Sequence, residues 1–151
     1  LCVLQRDTSL KEVWRTAVML KADITEELLI SIFWPGTPLH DGAVVMDQQS
    51  IVAAGCYLPL TEKTDISRWY GTRHRAALGV TEMSDAIALV VSEERGEITA
   101  AVGGHFSKPL SEAQLKKICS HYFSFESKET NFMDRLREEI QQQWAGGDKN
   151  V

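Results

Sequence analysis

The sequence has little cysteine, and its three cysteines are far apart. Cys2, Cys56 and Cys119 are odd in number and form no CxxC pair. Disulfide-held domains and zinc ribbons need paired or closely spaced cysteines. Both classes are therefore disfavoured, and we expect reduced thiols in a cytoplasmic setting.

Long apolar runs are also missing. No segment reaches the roughly 20 apolar residues that a transmembrane helix needs, and no signal peptide is visible. The chain begins at Leu1, inside an apolar stretch and without Met. We therefore expect this chain to be a piece of a longer protein. The region that precedes it there could include membrane spans. In that case this is a cytoplasmic domain that meets a membrane only through the N-terminal region.

Positive charge is scarce. Lys and Arg number 16 against 21 Asp and Glu, which gives a formal net charge of -5. A broad nucleic-acid-binding surface needs a basic face, so no nucleic-acid partner is expected. Two common nucleotide-binding signatures, GxxxxGK[ST] and GxGxxG, do not occur either. A small basic pocket for one anionic ligand is still compatible with this composition.

The apolar pattern predicts strands and helices that are interleaved along 151 residues, a length that suits one domain. Strands are predicted over residues 1–4, 43–46, 51–58, 86–91 and 97–102, and helices over 10–18, 26–33, 72–83 and from the cap Ser111 to Tyr122. A last amphipathic helix is marked by Phe132, Leu136, Ile140 and Trp144, before a frayed tail over residues 145–151. This order favours an α/β (mixed α+β) fold with a central mixed, twisted β-sheet flanked by helices.

A first cluster of reactive residues lies where a Pro-rich loop enters a predicted strand, at Leu39-His40-Asp41-Gly42-Ala43. Gly42 and Ala43 are small enough for a ligand to approach the backbone. The Asp41 carboxylate could activate a hydroxyl or hold a metal ion, with His40 beside it. An aspartate before glycine is also common in ordinary turns, and that alternative stays open.

A second cluster, Gly71-Thr72-Arg73-His74-Arg75, opens a predicted helix with Thr72 as its N-cap. Helix N-termini suit phosphate groups, whereas arginines in the first turn oppose the helix dipole. An anionic ligand at this point would offset that cost, and so would ion pairs with nearby carboxylates. Residues two apart do not share a helix face, so Arg73 and Arg75 cannot grip one phosphate in the same way.

A third cluster, Ser92-Glu93-Glu94-Arg95-Gly96, follows an apolar strand. Strand ends are favoured ligand sites in α/β sheets. Ser92 could bond a phosphate and a glutamate could bind a divalent metal, although a solvated hairpin turn would look the same. Together the three clusters offer arginines, a helix N-terminus, a hydroxyl and carboxylates, a set that suits metal-assisted phosphoryl or nucleotidyl transfer.

These motifs resemble a known family. Asp41-Gly42-Ala43 and Arg73-His74-Arg75, about thirty residues apart, are similar to the two signature motifs of the diadenylate cyclase (DAC, or DisA N-terminal) domain. Ser92-Glu93-Glu94 also resembles the family, and the likeness runs over about residues 7–122. It implies one DAC-type domain over residues 1–126, followed by a C-terminal amphipathic helix and tail over 127–151.

The resemblance implies that two ATP molecules condense into cyclic di-AMP, with release of two pyrophosphates. A divalent metal ion, Mg²⁺ or Mn²⁺, and a face-to-face homodimer are implied, and the dimer could be part of a higher homo-oligomer. Asp41 and Arg73 are then the catalytic residues, and His40, Asp41 and Glu94 the metal ligands. ATP would be bound by Gly42, Ala43, Tyr57, Leu58, Thr72, Arg73, His74, Arg75, Ser92 and Glu93.

Two other functions stay open at this point: a non-catalytic nucleotide-binding signalling module and a metal-dependent nucleotide hydrolase. For Tyr57 and Leu58, which the resemblance places beside the base, plain core packing is the alternative. His105, His121 and the cysteines lie outside the motifs and are expected to be structural, because histidines without partners seldom act as ligands.

Overall fold

The computed structural model describes residues 1–68, 70–124 and 130–145, without the side chains of residues 130, 131, 144 and 145. Its strands are β1 (Cys2–Leu4), β2 (Val18–Ala22), β3 (Ala43–Met46), β4 (Ile51–Cys56), β5 (Ile87–Val91), β6 (Ile98–Val102) and β7 (His105–Phe106). Its helices are α1 (Lys11–Trp14), α2 (Glu26–Phe33), α3 (Thr72–Glu82), α4 (Glu112–Phe123) and α5 (Thr130–Ala145). No helix within these ranges is long and apolar enough to cross a membrane.

All seven described strands form one sheet in the order β2-β4-β3-β1-β5-β6-β7. β1 runs parallel to β3, where Val3 pairs with Val45, and antiparallel to β5, where Val3 pairs with Ala88. The other neighbouring strands are antiparallel. The predicted central mixed sheet is therefore confirmed, and β1 is the strand that joins its two halves.

Successive side chains along a strand point to opposite faces of the sheet, so both faces carry apolar residues, and helices cover each of them. Val3 and Val45 pack on the face that α3 covers, while Leu4 and Val44 pack on the other. The second face is covered by α2, α4 and α5 through Ile32, Ile118, Tyr122, Leu136 and Ile140. The predicted stripe of the last helix is thus buried at Leu136 and Ile140, while the Trp144 side chain and residues 146–151 of the predicted tail lie outside the described residues.

Two helices begin with a side-chain cap, and the one at Ser111 confirms its predicted cap. The Thr25 hydroxyl accepts a hydrogen bond from the Leu28 N–H at the start of α2. Ser111 and Gln114 form a reciprocal capping box at the start of α4. Each cap satisfies backbone groups that a helix end leaves unpaired, so both boundaries are set locally.

The helix predicted over residues 10–18 is wrong for its second half. Helix α1 ends at Trp14, and Val18 begins β2, an edge strand that pairs Val18 with Ala54 and Met19 with Ala53 of β4. Helical spacing of apolar residues gave way here to backbone pairing with a strand that is distant in sequence. The short strand β7 was missed for the same reason, since only its pairing with β6 defines it.

Candidate active site

A cavity of about 630 Å³ opens where three predicted clusters meet, within the range of roughly 300–1,000 Å³ typical of ligand sites. Asp41 and Gly42 precede β3, and Ala43 is its first residue. Thr72, Arg73 and His74 come from the start of α3, and Ser92, Glu93 and Glu94 follow β5. The rest of its lining is Leu1, Cys56, Tyr57, Leu58, Leu60, Gly71, Ala76 and Val91. The sheet order thus brings together clusters that lie far apart in sequence.

Asp41 is exposed at one side of this cavity, and its Oδ1 accepts a hydrogen bond from the Gly42 N–H at 3.0 Å. Gly42 has a φ of 89°, and a β-carbon there would lie 2.9 Å from the Cys56 carbonyl oxygen. Glycine is therefore required by the close approach of β4 and by the backbone conformation. This fixes the Asp41 carboxylate relative to the β3–β4 pair.

The apolar wall of the cavity follows β4. Tyr57 is 71% exposed and Leu58 is half-buried. The Thr61 N–H donates to the Arg75 carbonyl oxygen at 3.0 Å, and the Thr61 hydroxyl donates to Glu82 at 2.7 Å. The segment that carries the wall is thus attached to α3 at both ends of the helix. For Tyr57, this degree of exposure argues against plain core packing.

The N-terminus of α3 differs from the prediction in one respect. Gly71, not Thr72, is the N-cap, and no side chain caps this end. Thr72 is the first helical residue and is exposed in the cavity lining. Gly71 adopts the extended conformation of an N-cap, and glycine is accepted there, so Thr72 is shifted one position into the helix. The first turn contains no acidic residue that would occupy this partially positive end.

Arg73 and Glu93 form an ion pair across the cavity, with Nη1 2.5 Å from Oε1. The Arg73 side chain is 35% exposed and the Glu93 side chain 76%. Arg73 therefore has a carboxylate partner and also lines the cavity, so the predicted ion pair is present and the predicted contact with an anionic ligand stays a prediction. A charge-assisted bond of this kind orients the guanidinium, although an exposed pair adds only about 0–1 kcal/mol to stability.

His74 is buried beneath the cavity. Its ring stacks on Tyr70 with centroids 4.8 Å apart and meets the edge of Phe106 at 5.6 Å. Burial lowers the pKa of His74, and the positive charge of Arg95 lowers it further. The imidazole is therefore neutral at pH 7 and can offer a phosphate an N–H but no charge.

Ser92 organises the turn after β5. Its hydroxyl oxygen accepts a hydrogen bond from the Arg95 N–H at 3.3 Å, and its carbonyl accepts from Gly96. A hydroxyl that accepts can still donate its own proton to a ligand. The predicted hairpin turn and the predicted ligand site therefore coincide in this segment.

Two predicted site residues do not line the cavity: His40 and Arg75. His40 Nδ1 lies 2.6 Å from the Thr37 carbonyl oxygen, so Nδ1 carries the proton in the neutral ring and Nε2 presents its lone pair. Arg75 is half-buried, and its carbonyl contacts Thr61. Among the described residues, no three His, Cys, Asp or Glu side chains are grouped closely enough to hold a metal ion.

Sequence reasoning missed Leu1 and Val91 as lining residues. Val91 ends β5 and is 53% exposed. Its position directly before the Ser92 cluster could have indicated that it lines the site. Cys56 also lines the cavity, but burial raises the pKa of its thiol to about 11, so it is neutral at pH 7.

His121 stacks on Phe132 with ring centroids 3.8 Å apart, as expected of a structural residue.

Comparison with known proteins identifies the family. A family described as DisA bacterial checkpoint controller nucleotide-binding, DAC, matches residues 1–106. A cyclic di-AMP synthase of Bacillus subtilis, CdaA, is 44% identical over 131 residues, which is 87% of this chain and 48% of that protein. A diadenylate cyclase of Listeria monocytogenes is 42% identical over 142 residues, 94% of this chain and 50% of that protein.

Solved structures share the fold. The crystal structure of a DacA double mutant from Staphylococcus aureus superposes with a TM-score of 0.77 at 38% identity, covering 81% of each chain. A hypothetical membrane spanning protein from Bacillus cereus gives 0.66 at 42% identity, covering 73% of this chain and 54% of the other. The present chain spans about half the length of the curated relatives it matches. By its motifs, its fold and these matches, the chain belongs to the DAC family of DisA-type nucleotide-binding domains.

Proposed function

We propose that this domain is a diadenylate cyclase, which condenses two ATP molecules into cyclic di-AMP and releases two pyrophosphates. The observation that carries the proposal is the convergence of Asp41, Arg73 and the Ser92–Glu94 turn on one cavity. The cavity has an apolar wall, a helix N-terminus and carboxylates, which are the parts that a nucleotide and a phosphoryl reaction need.

In this proposal, the adenine base lies against Tyr57 and Leu58, and the triphosphate extends toward the start of α3. Backbone N–H groups and the Thr72 hydroxyl would meet phosphate oxygens there, as helix N-termini commonly do. Arg73 would hold the same nucleotide's triphosphate and stabilise the departing pyrophosphate. The Ser92 hydroxyl would donate to a phosphate oxygen. Arg75, which does not line the cavity, would act by holding α3 against the wall segment.

Asp41 would orient the 3′-hydroxyl of the nucleotide in its own cavity and accept its proton. The hydroxyl oxygen then attacks the α-phosphorus of a second ATP, and the bond from that phosphorus to pyrophosphate breaks. Two such events form two 3′–5′ phosphodiester bonds and close the ring. The Asp41 protons pass to solvent after each event.

The carboxylate oxygens of Asp41 and Glu94 in the cavity are the type of ligand that a hard divalent cation such as Mg²⁺ or Mn²⁺ prefers. His40 precedes Asp41 in the sequence but does not line the cavity, and it would offer the lone pair of Nε2. When bound, the cation would supply positive charge to the reacting phosphate oxygens.

One domain that binds one ATP lacks an acceptor for its own 3′-hydroxyl. The reaction therefore requires two cavities that face each other about a two-fold axis, each supplying its own Asp41. The side chains of Tyr57, Leu60 and Val91 are exposed at the cavity, which supports the proposal that a second copy covers this surface.

The test is to incubate the domain with ATP and Mn²⁺ and to identify the product by mass spectrometry. Cyclic di-AMP is the expected product, and pyrophosphate should accompany it in a 2:1 ratio. Release of AMP or ADP would point to a hydrolase instead. Binding of ATP without any product, at protein concentrations high enough for pairing, would point to a signalling module.

A further inference from the structure

The charges that line the cavity are unfavourable for a free triphosphate. Among the described residues that line it, Asp41, Glu93 and Glu94 contribute three carboxylates, and Arg73 contributes the single guanidinium. His74 lines the cavity too, but its lowered pKa leaves it neutral at pH 7. A polyanion that enters this cavity alone therefore meets more negative than positive side-chain charge.

One nitrogen of this guanidinium moreover already has an anionic partner. Glu93 Oε1 lies 2.5 Å from Arg73 Nη1, close enough for a charge-assisted hydrogen bond. A phosphate that takes this position must either displace Glu93 or lie beside its carboxylate. Displacement leaves the Glu93 carboxylate without its partner in a cavity that holds two more carboxylates and the incoming phosphate.

A divalent cation on the nucleotide changes this balance. It lowers the net charge of the triphosphate, and it offers the released carboxylate a new positive partner in place of Arg73. We propose that Glu93 is a specificity residue, which blocks Arg73 against metal-free nucleotide and releases it to nucleotide that carries a divalent cation. This inference rests on the proposed function only in taking ATP as the ligand, and not on any product being formed.

The experiment measures binding and not turnover. The probe is 3′-deoxy-ATP, which lacks the attacking hydroxyl, titrated into the domain by calorimetry with EDTA or with Mn²⁺. In EDTA, Glu93→Gln should bind the probe about fivefold more tightly than wild type, the scale of an exposed ion pair together with relief of repulsion. In Mn²⁺ the variant should bind the probe no more tightly than wild type. The ratio of its affinity in Mn²⁺ to its affinity in EDTA should therefore be at least about fivefold lower than the wild-type ratio.

Two matched controls separate this role from general electrostatics. Glu94→Gln removes one carboxylate from the same cavity but breaks no ion pair with Arg73, and its gain in EDTA should be clearly smaller. Glu97→Gln removes the partner of Arg95, 3.6 Å away and outside the cavity lining, and should leave both affinities unchanged. In an Arg73→Ala background, Glu93→Gln should increase the affinity for the metal-free probe by no more than Glu94→Gln does.

The proposal is overturned if Glu93→Gln binds the metal-free probe no more tightly than wild type while its melting temperature is unchanged. It is also overturned if Glu94→Gln gains as much, because charge alone would then explain the effect. Failure of the domain to make cyclic di-AMP would count against the cyclase function and leave these binding results to be judged separately.

Discussion

A β-carbon on Gly79 would lie 1.9 Å from the carbonyl oxygen of Pro59. Helix α3 therefore packs directly on the backbone of the segment that carries Tyr57, Leu58 and Leu60. The same helix supplies Arg73 at its start, so a glycine in its middle sets the distance between the apolar wall and the arginine.

Gly79→Ala should consequently displace the wall and lower stability by roughly 1–3 kcal/mol, as overpacking commonly does. Calorimetric ATP binding should weaken as well, because Tyr57 and Leu58 move relative to Arg73. Gly71→Ala is the comparison for the melting temperature alone, since nothing lies within 4 Å of a β-carbon there and its φ is not positive, whereas Gly71 itself lines the cavity. An unchanged melting temperature for Gly79→Ala would show that this contact is not needed.

Asp41→Asn keeps the shape of the side chain and removes its charge. We expect ATP to bind while cyclic di-AMP formation falls by at least about 100-fold, the usual scale for a positioned acid–base group. Asp65→Asn, an exposed aspartate outside the cavity lining, should keep wild-type activity. Near-normal turnover in Asp41→Asn would remove this carboxylate from the mechanism.

Arg73→Ala separates a ligand contact from a structural ion pair. Because the Arg73–Glu93 pair is partly exposed, its loss should change stability by no more than about 1 kcal/mol. Activity should nevertheless fall strongly, since a charged phosphate contact is worth about 1.5–3 kcal/mol. Arg15→Ala breaks an exposed pair with Glu12, 3.7 Å away and outside the cavity lining, and serves as the control. A large drop in melting temperature for Arg73→Ala without ATP would favour the structural role.

The sequence was informative where structure is set locally. Helix α2 follows its prediction because Thr25 caps it and its apolar stripe covers one face, all within nine residues. The edge strand β2 was not predicted because it depends on pairing with β4, about thirty residues away along the chain. The Arg73–Glu93 pair was foreseen only as a general possibility, since the identity of the partner depends on how α3 and β5 pack.

Cys56 provides a test by pH. Burial raises the pKa of its thiol from 9.0 to about 11, so the unfolded chain loses this proton first as the pH rises. The stabilisation is full below pH 9 and is lost as the pH rises through 11, by about 2–3 kcal/mol for two pKa units. The stability difference between wild type and Cys56→Ala should shrink by that amount over this range in urea titrations. A constant difference would contradict the raised pKa.

Assembly can also be tested, because the face-to-face reaction needs catalytic residues from two cavities. Specific activity should rise with protein concentration until the active dimer saturates, as mass action requires. The net charge of -5 opposes pairing, so the rise should be steeper at higher salt, where repulsion is screened. Flat specific activity down to concentrations at which the domain sediments as a monomer would contradict the mechanism.

Mixing Asp41→Asn with Arg73→Ala protein tests this need for two cavities directly. In a mixed pair, the attack that starts from the Asp41→Asn cavity lacks its base, and the ATP that it attacks lacks its arginine. The opposite attack retains both groups, so one phosphodiester bond forms and one pyrophosphate leaves. The ring cannot close, and a linear dinucleotide that keeps one triphosphate should accumulate in the mixture but in neither protein alone. Chromatography against a linear standard measures it, and efficient formation of cyclic di-AMP by the mixture would mean that one intact half-site is sufficient.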